Sequence, residues 1–243
     1  MESPLTLVTG ASRGIGRAAV NELLQRGRAV LGVARSAAAV EHDRYTHARV
    51  DLADLEAVEQ FCAGLLTQRL REASSVDLVQ NAGSLDPMGP YGDLAAADLE
   101  RALRVAVIGP HRIAATCLRE GRGRLRVLQV SSGAATRAIP GWTAYCTGKA
   151  ALEMLGRCLA ADAEAYAALA EREVQVLSWA PGVVDTRMQE EIRLQPVARF
   201  PTVERFEALA REAQLAQPEE VARALVEALE GMPEGFSTGR FGG

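Results

Sequence analysis

The chain has 243 residues, 48% of them apolar and 24% charged, with a formal net charge of −4. That length suffices for one substantial core in an ordinary globular balance, so a single domain over residues 1–243 is expected. A net negative chain with 5% aromatics offers neither a basic face nor base-stacking platforms, which excludes nucleic acid as an expected partner.

Cys62, Cys117, Cys146 and Cys158 form no CxxC pair and lie in periodic apolar segments, which predicts buried free thiols in a reducing compartment. The three histidines, His42, His47 and His111, show no metal-ligand spacing, so no metal is expected. Met1 leads at once into the strand-like LTLVTG, leaving no room for a signal peptide, and no apolar run is long enough to span a bilayer. The expectation is a cytoplasmic protein without a membrane partner.

Along the chain, short apolar runs alternate with longer segments of 3.6-residue periodicity. Strands are predicted at Leu5–Val8, Ala29–Ala34, Ala48–Val50, Val76–Gln80, Arg126–Ser131 and Val174–Ala180, with a further edge strand at Phe236–Phe241. Helices are predicted at Gly16–Gln25, Leu55–Leu70, Ala97–Leu118, Ala144–Ala163 and Pro218–Gly231. Glu164–Glu173, rich in Ala and Glu, extends a helix or loops out. Continuous apolar strands alternating with helices predict an α/β fold: a Rossmann-type doubly wound parallel sheet with helices on both faces. The segment from Asp185 to about Gln217 follows the last confident core strand and mixes apolar with charged residues, as a substrate lid would.

Thr9-Gly10-Ala11-Ser12-Arg13-Gly14-Ile15-Gly16 ends the first strand and opens the first helix. Glycines in that context let the backbone turn tightly and approach a pyrophosphate met by helix N-terminal amides; a tight turn that binds nothing is the alternative. The spacing is not that of a triphosphate-binding loop. The second strand ends in Ala34-Arg35-Ser36, where a carboxylate would select NAD by holding the ribose 2′-hydroxyl. Arg35, with Arg13 from the glycine loop, instead offers planar forks for a 2′-phosphate and points to NADP(H), although both would also serve as solvated surface charges.

Of the 27 Lys and Arg residues, 26 are Arg and only Lys149 is Lys. It stands four residues after Tyr145, on the same helix face, and Ser132 ends the strand before that helix. A phenol near pKa 10 is a poor acid or base at neutral pH, but a neighbouring ammonium and an oxidised nicotinamide would favour its phenolate. Tyr145 would protonate a carbonyl oxygen as hydride reaches the carbon, Ser132 would hydrogen-bond the developing oxyanion, and Lys149 would also hold ribose hydroxyls. Arg is too bulky and too basic to replace a compact ammonium beneath a tyrosine.

Together these motifs resemble the short-chain dehydrogenase/reductase family over nearly the whole chain. TGASRGIG, with Gly10, Ser12, Arg13, Gly14, Ile15 and Gly16, is similar to its cofactor loop, and Ser132, Tyr145 and Lys149 match its catalytic residues. The resemblance further implies cofactor contacts from Asn81-Ala82-Gly83, from Asp51-Leu52 at the adenine, and from Pro181, Gly182, Val184 and Thr186, with Thr186 at the nicotinamide carboxamide. Asn81–Pro90, Gly141–Ala151 and Ala180–Arg193 resemble the sepiapterin reductase and benzil reductase branch.

That branch implies NADPH-dependent reduction of a ketone or diketone carbonyl to an alcohol. A sepiapterin-type pterin carbonyl reductase and a non-catalytic NADP(H)-binding sensor are the alternatives. By position, Leu85, Trp142, Met188 and Ile192 would form an apolar wall beside the nicotinamide, or else ordinary packing of loop and lid. Two departures stand out. Ala106 occupies the place of an asparagine that completes the family's proton relay, and the tail Ser237–Gly243 lacks the acidic residue with which sepiapterin reductases anchor the pterin. The family also implies a homodimer or homotetramer, paired through the helices predicted at Ala97–Leu118 and Ala144–Ala163.

Overall fold

The computed structural model describes residues 3–166, 169 and 172–242. Seven strands form one sheet: β1 (Ser3–Thr9), β2 (Ala29–Ala34), β3 (Tyr45–Arg49), β4 (Ala73–Gln80), β5 (Leu125–Val130), β6 (Val174–Ala180) and β7 (Gly235–Arg240). All neighbours pair in parallel, in the order β3-β2-β1-β4-β5-β6-β7. The order reverses between β1 and β4, and such a switch point opens a crevice at the carboxyl ends of the strands.

The helices are α1 (Gly14–Gln25), α2 (Leu55–Phe61), α3 (Thr67–Arg71), α4 (Ala96–Leu103), α5 (Gly109–Glu120), α6 (Thr143–Ala165), α7 (Arg187–Arg193), α8 (Val203–Arg211) and α9 (Pro218–Glu230). Helices α1 and α9 cover one face of the sheet, where Ala19, Leu23, Val221 and Leu225 bury against Val8, Val79 and Leu128. On the other face α2, α3, α5 and α6 bury Val58, Leu70, Ile113 and Ala160 against Leu7, Leu78 and Val127. Alternate residues of each strand thus serve opposite cores, and both must be apolar; hence the unbroken apolar runs. The side chain of Asp54 starts α2 by accepting the N–H groups of Glu56 and Ala57, each at 3.1 Å.

Several predicted bounds differ. The two long helices are each interrupted by a π turn, at Cys62–Leu66 and at Arg104–Ile108, because one extra residue is accommodated without breaking the apolar stripe. β3 begins at Tyr45, ahead of the predicted Ala48: as an edge strand it carries half-exposed Tyr45, Thr46 and His47, which interrupt the apolar run. Cys62 and Cys117 are buried as expected, but Cys146 is half-buried and Cys158 is exposed on the outer face of α6. Of the stretch Glu164–Glu173, the first two residues complete α6, while 167, 168, 170 and 171 lie outside the described residues. Among the described residues no helix is long and apolar enough to cross a membrane.

Two rows of polar side chains cross the buried sheet. On the α1/α9 face, Asp77 accepts two hydrogen bonds from its register neighbour Arg126, at 2.6 and 2.8 Å, and one from Arg28. Arg126 also donates to the carbonyl of Glu230 at the end of α9 (3.2 Å). On the opposite face Gln129 donates to Gln80 (3.2 Å), and Gln80 to the Pro110 carbonyl of α5 (2.9 Å). In the same row Ser178 donates to Glu153 of α6 (2.9 Å). Removing one member of a buried ion pair strands its partner at a cost of about 3–5 kcal/mol. Asp77→Asn is therefore expected to lower the unfolding free energy by roughly that amount in a urea titration, and an added Arg126→Met should recover part of the loss.

Candidate active site

The cofactor half of the site is built where β1, β2 and β4 end. Thr9 links β1 to β4, its hydroxyl accepting the N–H groups of Asn81 and Ala82, both at 3.1 Å. Asn81 returns a bond from its side-chain amide to the Thr9 carbonyl (3.0 Å). The turn that follows needs glycine twice over. Gly10 has φ +71°, and a Cβ there would lie 2.7 Å from the Asn81 amide nitrogen. The backbone therefore leaves β1 tightly enough to aim the first turn of α1 into the crevice, a cradle whose shape and exposed N–H groups fit a pyrophosphate.

One cavity of about 580 Å³ runs along the carboxyl ends of the strands. Its lining includes every residue expected to contact cofactor except the buried Gly16. Arg13 and Arg35 are both exposed at the same end, with Ser12 and Ser36 between them, their hydroxyls 3.4 Å apart. Arg49 donates to the Arg35 carbonyl (2.9 Å), and His47 bonds the Ser36 carbonyl (3.0 Å), fixing the backbone that carries Arg35. Asp51 lines the cavity while one carboxylate oxygen accepts the Ala53 N–H (2.9 Å). Thr186 begins α7 and packs its side chain near Gly14, where a Cβ would meet the Thr186 methyl at 3.3 Å.

At the middle of the cavity stand Ser132, Tyr145 and Lys149. Ser132 caps the short turn Gly133–Ala135, its hydroxyl accepting the Ala134 N–H at 3.2 Å, which orients the side chain at the end of β5. Lys149 is buried; Nζ donates to the Val130 carbonyl at 2.5 Å and lies 5.6 Å from the centre of the Tyr145 ring. Burial lowers the Lys149 ammonium to about 8. Burial likewise pushes the Tyr145 phenol up to about 12, and a hydrogen bond with the Ser132 side chain opposes that rise. Without a dinucleotide, then, the phenol holds its proton more firmly than a free tyrosine. Lys149 is not what moves it.

Helix α6 owes its seat to small residues. A Cβ at Gly156 would lie 2.5 Å from the Gln129 side-chain oxygen, and one at Gly148 would lie 2.8 Å from the Ala106 methyl. Ala106 sits in the π turn Arg104–Ile108, directly opposite the helix turn that joins Tyr145 to Lys149.

On the far side of these three residues, Leu85, Trp142 and Ile192 are buried together with Phe200, and Met188 packs against the same cluster. All four residues expected at the apolar wall are thus brought together and line the cavity. Trp142 stacks on Phe200 with ring centres 5.0 Å apart and meets the Tyr145 ring edge-on at 5.3 Å. Ile139, Phe206, Arg137 and Arg205 also line this end, and Ser36 the other; none was singled out from the chain order. The recurrence of Phe200 and Phe206 in a chain poor in aromatics was the available signal for the aromatic cluster. Nothing in spacing alone marks Arg137, Arg205 or Ile139.

The model of the short chain dehydrogenase family matches residues 4–196. Benzil reductase ((S)-benzoin forming) of Bacillus subtilis is 32% identical over 240 residues, covering 97% of this chain and 96% of that protein. Sepiapterin reductase of Xenopus laevis is 33% identical over 209 residues, covering 77% and 76%. Among solved structures, a short-chain dehydrogenase/reductase of Saccharomyces cerevisiae superposes with a TM-score of 0.79 at 25% identity, covering 99% of this chain and 97% of its own. The KRED1-Pglu enzyme gives 0.77 at 29% identity, covering 97% and 100%. Glycine cradle, continuous crevice and Ser-Tyr-Lys cluster accord with these likenesses: the chain belongs to the short-chain dehydrogenase family, whose oxidoreductases use nicotinamide cofactors on small-molecule substrates.

Proposed function

We propose that this protein is an NADPH-dependent carbonyl reductase acting on ketones or diketones. The observation that carries the reading is the convergence of Ser132, Tyr145 and Lys149 midway along a crevice with a glycine cradle at one end and an aromatic wall at the other. When bound, the dihydronicotinamide supplies the hydride. The residues of the chain do the rest. Ser132, held by its own turn, donates to the carbonyl oxygen; Tyr145 keeps its proton through the neutral range and releases it to that oxygen as negative charge develops. Once a bound dinucleotide excludes water, the Lys149 charge, 5.6 Å from the centre of the Tyr145 ring, would favour the phenolate that the empty site disfavours. Trp142, Phe200 and Ile192 exclude water from the far side.

Arg35, Arg13, Ser12 and Ser36 support a 2′-phosphate rather than a bare 2′-hydroxyl, since no carboxylate ends β2. The excursion 185–217 acts as a substrate lid: it carries α7 and α8 and is pinned at its base, where Val184 bridges Ala216. At the tail, Arg240 lines the cavity and no carboxylate accompanies it there, which supports a ketone or diketone over a pterin. Ile108 and Met154, exposed beside α5 and on α6, support pairing of copies through those helices in a dimer or tetramer over residues 1–243 of one domain.

The direct test follows NADPH absorbance with benzil and with sepiapterin. Benzil is expected to be turned over; robust reduction of sepiapterin alone would overturn the reading. Arg35→Ala should cut kcat/KM for NADPH by about 10- to 100-fold, roughly the worth of one charge-assisted contact, with little change for NADH. An unchanged NADPH/NADH ratio would remove Arg35 from the cofactor site.

Lys149 connects stability to pH. Its proton is bound more tightly by the unfolded chain (about 10.5) than by the folded one (about 8), so its burial cost is fully present below pH 8 and disappears as pH rises from about 8 to 10.5. Lys149→Met should therefore raise the Tm of the cofactor-free protein at pH 7, by the equivalent of roughly 2–3 kcal/mol, while abolishing turnover. For the wild type, kcat/KM for reduction should fall as pH passes about 8. Rate-pH profiles and thermal melts check the two together.

A further inference from the structure

One charged group beside the reacting centre has no part in the chemistry above. Arg137 follows the Gly133–Ala135 turn capped by Ser132, and its guanidinium lies over Gly133, where a Cβ would stand 2.7 Å from a terminal nitrogen. Gly133 is not among the positive-φ glycines, so its backbone does not call for glycine; the place of a side chain is filled by the guanidinium. The cation is thereby set one residue from Ser132, on the cavity wall. Its main chain is fixed as well, because the Arg137 carbonyl accepts the Cys146 thiol at 3.7 Å, one residue beyond Tyr145.

Position, more than pairing, sets Arg137 apart among the arginines of the cavity lining, since Arg101 and Arg205 likewise form no ion pair among the described residues. Arg187 lines the same space but pairs with Glu191 at 3.2 Å. Among the described residues no carboxylate pairs with Arg137. The same cavity lining carries the apolar and aromatic side chains of Leu85, Ile139, Trp142 and Phe206, together with Asp86, Asp98 and Glu191. Arg137 is solvent-exposed on the cavity wall, so its fork is free to turn to an anionic group bound beside Ser132.

We propose that Arg137 is a carboxylate-binding residue and that the substrate is a keto acid with an aryl or branched alkyl body, its carboxylate a few bonds from the ketone. This rests on the carbonyl-reduction reading and names its substrate class. The planar fork takes both carboxylate oxygens, the ketone lies between Ser132 and Tyr145, and the body fills the aromatic wall. A bound dihydronicotinamide would supply the hydride for the carbonyl carbon, and the C=O π pair would move to oxygen and take the Tyr145 proton. A hydroxy acid and the oxidised dinucleotide result, and the carboxylate is unchanged.

Benzoylformate, its methyl ester and benzil separate the possibilities, each assayed with wild type, Arg137→Gln and Arg137→Lys. Arg137→Gln should lower kcat/KM for benzoylformate by roughly 30- to 300-fold, the size expected for a lost charge-assisted pair, and change the ester by less than about threefold. Arg137→Lys, which keeps the charge but not the fork, should fall between. Mandelate, the product-like anion, should bind the wild type in calorimetry and bind Arg137→Gln more weakly by a similar factor. Equal effects on acid and ester, or equal mandelate binding by the two proteins, would overturn the subsite. Absence of turnover with all three compounds in the wild type would instead sink carbonyl reduction, and mandelate binding would still decide the role of Arg137. Thermal melts of both variants confirm that a folded protein is being compared.

Discussion

A buried ammonium needs an acceptor, and in this protein it finds one in the carbonyl of the last residue of β5. Lys149 donates to Val130 across 2.5 Å, and that single bond ties the first third of α6 to the carboxyl end of the sheet. Everything proposed for the site depends on it, since Tyr145 lies one helical turn earlier and Ser132 two residues beyond Val130. An ammonium taken out of water is costly unless it is hydrogen-bonded, which is why its pKa falls to about 8. The sole lysine of the chain is therefore placed where it lowers stability. Such strain is a frequent mark of functional positions.

The rest of the fold holds α6 in register with that carbonyl. Gly156 brings the helix against Gln129, Gly148 brings it against Ala106, and Glu153 accepts from Ser178 on β6. These contacts come from β5, from β6 and from the π turn before α5, so α6 is braced from three directions. The polar row on the opposite face works at a distance: Asp77 and Arg126 join β4 to β5, and Arg126 reaches the end of α9. Hydrogen-bonded pairs of this kind constrain neighbouring strands in a way that interchangeable aliphatic side chains do not.

Much of this was legible in the sequence, for identifiable reasons. β2 and β6 begin and end where their apolar runs do, because both faces of those strands are covered by helices. β3 was misplaced because an edge strand has one face free to carry Tyr45 and His47. The π turns at Cys62–Leu66 and Arg104–Ile108 were invisible because they preserve the apolar stripe. Within the site, Tyr145 and Lys149 were legible from helical spacing, Gly10 from its place at a strand end. Leu85, Trp142, Met188 and Ile192 are expected at an apolar wall from their positions along the chain, and they do meet in one cluster. Phe206 and Arg137 reach the cavity from α8 and from the turn after Ser132, and their positions there follow only from how those two segments pack.

The bridge between Val184 and Ala216 has a consequence for how such a protein diversifies. Asp185 donates its N–H to the Ala216 carbonyl and Ala216 donates to Val183, so the chain leaves the sheet layer and returns to it at one clasp. The thirty-odd residues between are tethered like a handle: their length can change without asking any strand to shift. Natural drift or a grafted segment can accordingly reshape the crevice, including the wall that Met188, Ile192, Phe200 and Phe206 build, while the strands beneath stay in place.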